Sequence, residues 1–274
     1  MDTFKKAFLE KYPKYGCILE YFEEATGEPM EWANLTKLNL SQYVDYLGQR
    51  LAQNSVRQYC AKIKSVINRY TDEIEMPKDW TKIITPKNEI VVNTWLTDTE
   101  LEAVTNYVPR TPIEKSVRGR FLIEAYTGAR FSDAERLDMS NVENGQLTYI
   151  SQKTHIRSSL PCKPVLHTIL ADNKELRKVD ATTFNNNLRN ICRRVGITTP
   201  VHVFKAGKEY VDMKYKFVSS HTGRRSFATN LYLRGCDLYS ISKMMGHTSV
   251  EMTAQRYICC PMRNLSPDIM EYFK

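Results

Sequence analysis

Long hydrophobic runs are missing from this chain of 274 residues. No apolar stretch approaches the ~20 residues needed to span a bilayer. The N-terminus, MDTFKKAFLEKYPKYG, lacks the apolar core of a secretory signal, so the expected compartment is the cytoplasm, with no membrane partner. Cysteine pairing is missing too. The seven cysteines, at 17, 60, 162, 192, 236, 259 and 260, show no CxxC spacing and no pairing with His at zinc-finger intervals. An odd, scattered set fits reduced thiols and excludes a disulfide scaffold. No glycine-rich loop ends in Lys-Ser/Thr to cradle a nucleotide. Asp133 and Glu135 have no further carboxylates clustered with them, so neither metal nor cofactor is expected. Low-complexity tracts and internal repeats are absent as well.

What is present is positive charge, unevenly placed. The net charge is +8, yet residues 1–90 hold 13 basic and 13 acidic side chains. Residues 151–230 hold 15 basic and 5 acidic ones. Such a concentration suits a polyanion, because each phosphate neutralised releases condensed counterions. Charge alone serves a solvated basic face equally well; the motifs decide.

Residues 3–12 and 15–26 read as helices, the second closed by Gly27. LNLSQYVDYLGQRLAQ carries a helical apolar stripe at Leu40, Tyr43, Val44, Leu47 and Leu51. A helix over residues 55–70 buries Val56, Tyr59, Cys60, Ile63, Val66, Ile67 and Tyr70, with Arg57, Lys62, Lys64 and Arg69 on the opposite face. Residues 85–95, with Pro86, read as a linker between an all-helical unit over 1–84 and a second unit over 96–274. Thr97 and Glu100 form a capping box that opens the second unit, and a longer helix follows over 113–127. GQLTYISQKTHIRSSLPC alternates around a turn at Lys153–Thr154, giving two or three antiparallel strands. VHVFKAGKEYVDMKYKFVS reads as strand–turn–strand.

The densest chemistry lies between Ser219 and Ile258. His221 and Arg224 are three apart and share a helix face, with Ser219 or Ser220 as N-cap and Gly235 just past the end. Gly246 ends the next helix and places His247 beyond it. Thr248 and Glu251 read as a capping box for a third helix that bears Tyr257. Two imidazoles, a guanidinium and a phenol thus converge from helix ends, a set suited to a phosphodiester. Cations hold the phosphate, and a phenol can attack it.

HTGR, then GH, then Tyr257 resembles the C-terminal motif of the tyrosine recombinases, the phage integrase family. The tyrosine lies ten residues after His247, one more than the commonest family spacing. Tyr232 and Tyr239 sit inside the helical pattern, and Tyr272 lies in the tail. Arg130 in TGARFSD matches the family's first catalytic arginine, with Asp133 at the usual acidic position. Lys153 in SQKTHIR matches the hairpin lysine, with Lys163 a nearby competitor. Any one of these residues alone has an ordinary structural reading, such as a solvated lysine or a helix-capping histidine. Six positions in the right order do not. The helical N-terminal unit is similar to the family's core-binding domain.

The resemblance implies a mainly α fold with a small antiparallel β-sheet: an all-helical, SAM-like core-binding domain followed by an α+β catalytic domain. It implies that Tyr257 is the nucleophile, forming a 3′-phosphotyrosine, and that Arg130 and Arg224 bind the scissile phosphate. Lys153 would be the general acid, on a mobile hairpin. His221 would assist proton transfer at the tyrosine, and His247 would hydrogen-bond the phosphate. Asp133 would orient Arg130 or its neighbours. Arg57, Lys62, Lys64, Arg69 and Arg225 would touch DNA. The partner would be double-stranded DNA, with a homotetramer on synapsed sites and a monomer in solution. The tail ending DIMEYFK would dock on a neighbouring protomer or pack on its own domain. The chain starts almost at the helical unit, so no arm-binding domain is expected. Two other readings stay open: a type IB topoisomerase-like relaxing enzyme, and a DNA-binding regulator that has lost catalysis.

Overall fold

The computed structural model describes residues 2–86, 93–205 and 208–259. The chain divides into two compact units, Met1–Val91 and Val92–Lys274, and the division falls within the segment read as a linker. The tail after residue 259 lies outside the described residues, and with it Cys260 and Tyr272.

The first unit is all helical. It comprises α1 (Phe4–Lys11), α2 (Cys17–Thr26), α3 (Lys37–Arg50), α4 (Gln53–Ile67) and a short α5 (Trp80–Ile83) that the sequence reading did not include. Local chemistry sets the boundaries. Thr3 and Thr36 cap α1 and α3 by accepting from the amides of Lys6 and Asn39. Gly27, at φ +74°, closes α2 in the left-handed region. Phe4, Phe8, Phe22, Tyr43 and Ile63 are fully buried at the centre, each aliphatic or aromatic side chain contributing roughly 1.5–3 kcal/mol by burial.

The basic face expected on α4 does not hold together. At 100° per residue, Arg57 and Lys64 lie on one side of the helix, while Lys62 is turned about 140° from Arg57. Its ammonium sits 4.2 Å from the Tyr15 ring centroid and 5.3 Å from that of Tyr12. Arg69 lies beyond the end of α4, which stops at Ile67.

The second unit is built around α7 (Pro112–Thr127), which follows α6 (Asp98–Asn106) and its Thr97–Glu100 capping box. After α7 come α8 (Phe131–Ala134) and a three-stranded antiparallel sheet of β1 (Val142–Glu143), β2 (Gln146–Ile150) and β3 (Arg157–Pro161). Next are α9 (Pro164–Asp172), α10 (Ala181–Arg194) and the hairpin of β4 (Pro200–Lys205) with β5 (Lys208–Met213). The unit closes with α11 (Ser220–Leu233), α12 (Leu238–Met244) and α13 (Val250–Tyr257).

α7 is buried on nearly every side, because apolar clusters flank it. Phe121, Leu122 and Ala125 pack with Phe184, Leu188 and Ile191 of α10. Ile123 packs into the cluster of Leu147, Leu160, Ile241 and Met245. Gly223 lets α11 lie directly on α7: a Cβ there would stand 3.0 Å from Glu124 Cβ and 3.2 Å from the Ala125 amide nitrogen. The start of α11, with His221 and Arg224, is thereby pressed against the end of α7, just before Arg130.

Two sequence expectations need correction. α9 and α10 occupy a stretch to which no elements were assigned, although Pro164 opens α9 at its first turn and Asp180 caps α10 through the Thr182 and Thr183 amides. The cap of α13 is Ser249, whose side chain accepts from the Met252 amide at 3.2 Å. The helix starts one residue later than a Thr248–Glu251 box requires.

Candidate active site

Arg224 is the hub. It is fully buried on the first turns of α11, a position tolerable for a guanidinium only when acceptors surround it. Nη1 donates to the carbonyl of Gly128. Nη2 donates to the carbonyl of Met245 at 2.7 Å and meets His247 Nε2 at 2.6 Å. Two of those acceptors exist because helices end there. Gly128, at φ +67°, closes α7, and Met245 caps α12. Burial lowers the Arg224 pKa, with the Tyr257 phenol acting in the opposite sense; the group remains a cation.

His247 follows Gly246, whose φ of +61° turns the chain out of α12. A Cβ on Gly246 would stand 2.8 Å from Ser158 Oγ, so the sheet approaches this turn closely. The imidazole is buried, and its pKa is pushed down to about 3, by burial first and then by Arg224 and Arg130. It is neutral. Since a guanidinium only donates, Nε2 is the acceptor and Nδ1 bears the hydrogen, which is given to Thr253 Oγ1 at 2.8 Å.

Tyr257 ends α13, half-buried. Its ring centroid lies 4.7 Å from that of His247, the planes at 35°, and 5.2 Å from Arg224 Cζ. The end of the helix is held to α11 by Thr229, whose hydroxyl donates to the Tyr257 carbonyl at 2.9 Å and accepts from the Cys259 amide at 3.1 Å.

Arg130 stands at the N-cap of α8 and donates from Nη1 to Ser151 Oγ at 2.8 Å. Asp133 is buried, and its Oδ1 accepts from Arg136 Nη2 and from the Gln152 amide, both at 2.9 Å. It therefore orients a neighbour of Arg130 and the β2–β3 turn, and has no hydrogen bond to Arg130 itself among those of the described residues. Lys153 is exposed on that turn. The backbone on either side of it is tied down: Gln152 to Asp133, and Thr154 Oγ1 to the Gly246 carbonyl at 3.2 Å. The turn is anchored to both α8 and the His247 loop, where a mobile hairpin was expected. Lys163 points elsewhere. Its ammonium sits 4.7 Å from the Tyr126 ring centroid and lines a cavity of about 50 Å³ with Asp98 and Arg234.

His221 occupies the first turn of α11, with its surface open to solvent. Desolvation by its neighbours lowers its pKa, followed by the charges of Arg225, Arg224, Lys153 and Arg130. Those four cations therefore share one locality with the imidazole. Arg225 is half-buried; burial lowers its pKa, while Cys259 and Tyr257 act oppositely. Its charge is thus felt by the Tyr257 end of α13.

The sequence reading passed over four residues that the structure places here: Glu124, Ser151, Thr229 and Thr253. Thr253 had a signal, since four residues before Tyr257 is the same helix face. Glu124 lies within a run of apolar residues, where it stood out only as an acid without an obvious partner. It is buried, and its pKa is raised well above the ordinary carboxyl value by burial, with Arg224 opposing. Among the described residues, no group of three His, Cys, Asp or Glu is placed to hold a metal ion, and no helix is long and apolar enough to cross a membrane.

The arrangement offers two guanidiniums, a neutral imidazole against a phenol, and an ammonium at the rim. Comparison with known proteins agrees in kind. The model of the phage integrase family matches residues 94–260. Tyrosine recombinase XerC of Natranaerobius thermophilus is 24% identical over 270 residues, covering 89% of this chain and 85% of its own length. The integrase of Escherichia phage 186 is 27% identical over 188 residues, covering 68% of this chain but 48% of its own. Among solved structures, a lambda integrase dimer bound to a COC′ core site is similar with a TM-score of 0.66 at 14% identity, covering 92% of this chain and 90% of that one. The Tn1549 transposon integrase in complex with circular intermediate DNA gives 0.67 at 12% identity, over the whole of both chains. At these identities the structures speak for the fold.

Proposed function

This chain belongs to the phage integrase family, and we propose that, as a tyrosine-type site-specific recombinase, it cuts and rejoins double-stranded DNA through Tyr257. The observation that carries this reading is the packing of the Tyr257 ring, tilted, against His247, itself bonded to the buried Arg224.

The Tyr257 Oη attacks the scissile phosphorus as the bond to the 5′-oxygen breaks. The enzyme is left as a 3′-phosphotyrosine, and the phenol's proton passes to His221. Lys153 gives a proton to the departing 5′-oxygen. Arg130 and Arg224 donate paired hydrogen bonds to the non-bridging oxygens, where negative charge grows. His221 suits the acceptor role because its pKa is held low, leaving a free ring nitrogen at neutral pH. The covalent intermediate conserves the phosphoester, so the reverse attack by a 5′-hydroxyl reseals DNA without ATP. His247 enters as an acceptor toward Arg224. To donate to a phosphate oxygen it must first gain a proton, which the phosphate's own charge favours.

The partner is double-stranded DNA, met by the basic residues 151–230 and by Arg57 and Lys64 of α4. The working assembly is a homotetramer on two synapsed sites, and the setting is the cytoplasm.

The test is covalent trapping. The protein is incubated with nicked duplex fragments from its host genome and from DNA flanking its gene, denatured, and examined for a DNA adduct. An adduct that disappears in Tyr257→Phe, while salt-sensitive binding persists, supports the reading, and sequencing it maps the site. An adduct that survives in Tyr257→Phe overturns the nucleophile. Relaxation of supercoiled plasmid lacking any mapped site would favour a topoisomerase instead.

A further inference from the structure

We propose that Thr253 is a positioning residue for strand cleavage: its hydroxyl holds the His247 ring in place and sets the rotation of α13 that presents Tyr257. The proposal rests on the reading of Tyr257 as nucleophile and Arg224 as phosphate ligand.

Two bonds to one ring set its orientation. Arg224 Nη2 lies 2.6 Å from Nε2, and Thr253 Oγ1 lies 2.8 Å from Nδ1. Only Nε2 can accept from a guanidinium, so Nδ1–H must donate, and the threonine oxygen is its acceptor. Without that oxygen, the Nδ1–H would be left in a buried site without a partner, at a desolvation cost. The alternative tautomer would instead point an Nε2–H at the Arg224 donors. Thr253 accepts equally from the imidazolium, so the bond persists if a phosphate later draws a proton onto Nε2.

The second role is mechanical. Ser249 caps the start of α13, and Thr229 staples its end through the Tyr257 carbonyl. Those two points fix the ends of the helix, and a bond from its middle adds a constraint on its rotation about its own axis. Thr253 is fully buried and sits four residues before Tyr257, on the same face. Bonding it to His247 sets the rotation at which the phenol ring lies 4.7 Å from the same imidazole. One histidine thus orients the phosphate-binding arginine through one edge and the nucleophile helix through the other.

Thr253→Val keeps the shape and removes the acceptor; Thr253→Ser keeps the acceptor. On free 15N-labelled full chain, the ring nitrogens of the five histidines are recorded, with His247 assigned by its loss in His247→Gln. Wild type and Thr253→Ser should show Nδ1 protonated and Nε2 bare, with the Nδ1–H proton shifted downfield by its hydrogen bond. In Thr253→Val, Arg224 keeps that tautomer, and the Nδ1–H signal should move upfield or be lost to exchange. Single-turnover adduct formation on the nicked target should slow about three- to tenfold in Thr253→Val at unchanged DNA affinity, with Thr253→Ser close to wild type. A Thr253→Val protein whose Nδ1–H signal is that of wild type overturns the proposal, whether or not its melting temperature or rate falls. So does failure of Thr253→Ser to restore the rate. If wild type itself gives no Tyr257-dependent adduct, the parent reading fails and takes the cleavage role with it. The Nδ1–H measurement needs no DNA and decides the Thr253–His247 bond separately.

Discussion

Arg224 Nη2 and His247 Nε2 meet at 2.6 Å inside the protein, so a buried cation is held by a neutral base. Three acceptors converge on a single guanidinium: the Gly128 and Met245 carbonyls and the His247 ring. A buried fork with that many fixed partners is preorganised, and such groups stabilise developing charge without reorganising at the moment of reaction.

Arg224→Lys tests that fork. An ammonium keeps the charge but is a point donor on a flexible stem, and cannot reach three planar-arranged acceptors at once. Adduct formation should fall by roughly 10²–10³-fold. Stability should drop by about 1–3 kcal/mol for each acceptor left buried without a partner. Single-turnover cleavage and urea unfolding read the two effects. A lysine variant with wild-type cleavage would show that charge alone suffices.

The His247 pKa gives a pH signature. Its value is about 3 in the folded protein, against an ordinary 6.5. Between those values the unfolded chain binds more protons, so stability rises with pH across the window and is complete above 6.5. Wild type should lose at most ~1.4 kcal/mol per pH unit on acidification from this group. His247→Gln should lose that component of the slope and keep a smaller one of the same sign, to which His221 contributes. Urea midpoints at pH 7, 6 and 5 decide it; parallel slopes for the two proteins would refute it.

Glu124 carries the opposite sign. Burial holds its carboxyl well above the ordinary 4.5, so it stays protonated in the folded protein where the unfolded chain would ionise. Its favourable contribution is full below pH 4.5 and shrinks as pH rises toward the folded value. Glu124→Gln, which cannot ionise, should therefore gain stability relative to wild type as pH is raised from 5 to 8. A difference independent of pH would mean that the carboxyl is ionised at both ends of that range.

Legibility in the sequence followed chemistry that is local. The Thr97–Glu100 box, the glycines at 235 and 246, and the strand alternation around Lys153 are each decided within a few residues, and the structure has them. Arg130, His221, Arg224, His247 and Tyr257 were found by order and spacing, and they do share one locality. What escaped was whatever depends on a partner far along the chain. Glu124 is defined by Arg224, 100 residues later, and Thr229 by the carbonyl of Tyr257. α7 has no one-sided stripe because neighbours cover nearly all of it. Lys62 was assigned to the polar face of α4, but Tyr12 and Tyr15, brought there by α1 and the turn after it, draw it away. The Thr248–Glu251 box was plausible by pattern, and the turn after Gly246 moved the start of α13 by one residue.

Gly128→Ala examines how tightly the end of α7 is packed. Its φ is +67°, and a Cβ would stand 2.6 and 2.9 Å from ring carbons of Phe227. Left-handed strain and overpacking together should cost about 1–3 kcal/mol. Because the Gly128 carbonyl accepts from Arg224 Nη1, cleavage should fall even under conditions where the variant remains fully folded. Circular dichroism with single-turnover cleavage at one temperature separates the two; a folded variant of unchanged rate would disconnect the turn from the arginine.

The basic residues of α4 make the last test, through salt. Removing a side chain that neutralises one phosphate should lower the slope of log affinity against log salt by roughly 1. Arg57 and Lys64 share one side of the helix and should each show that reduction on replacement by alanine. Lys62, held over the Tyr15 ring at 4.2 Å, should not. Lys62→Ala should instead lower the stability of the first unit by about 0.5–1 kcal/mol, the worth of an exposed cation–π pair. Affinities for the mapped target at four or five salt concentrations give the slopes, and urea unfolding gives the stability. If Lys62→Ala reduces the slope as much as Arg57→Ala does, the ammonium leaves the tyrosines for DNA, and the face read from sequence was right after all.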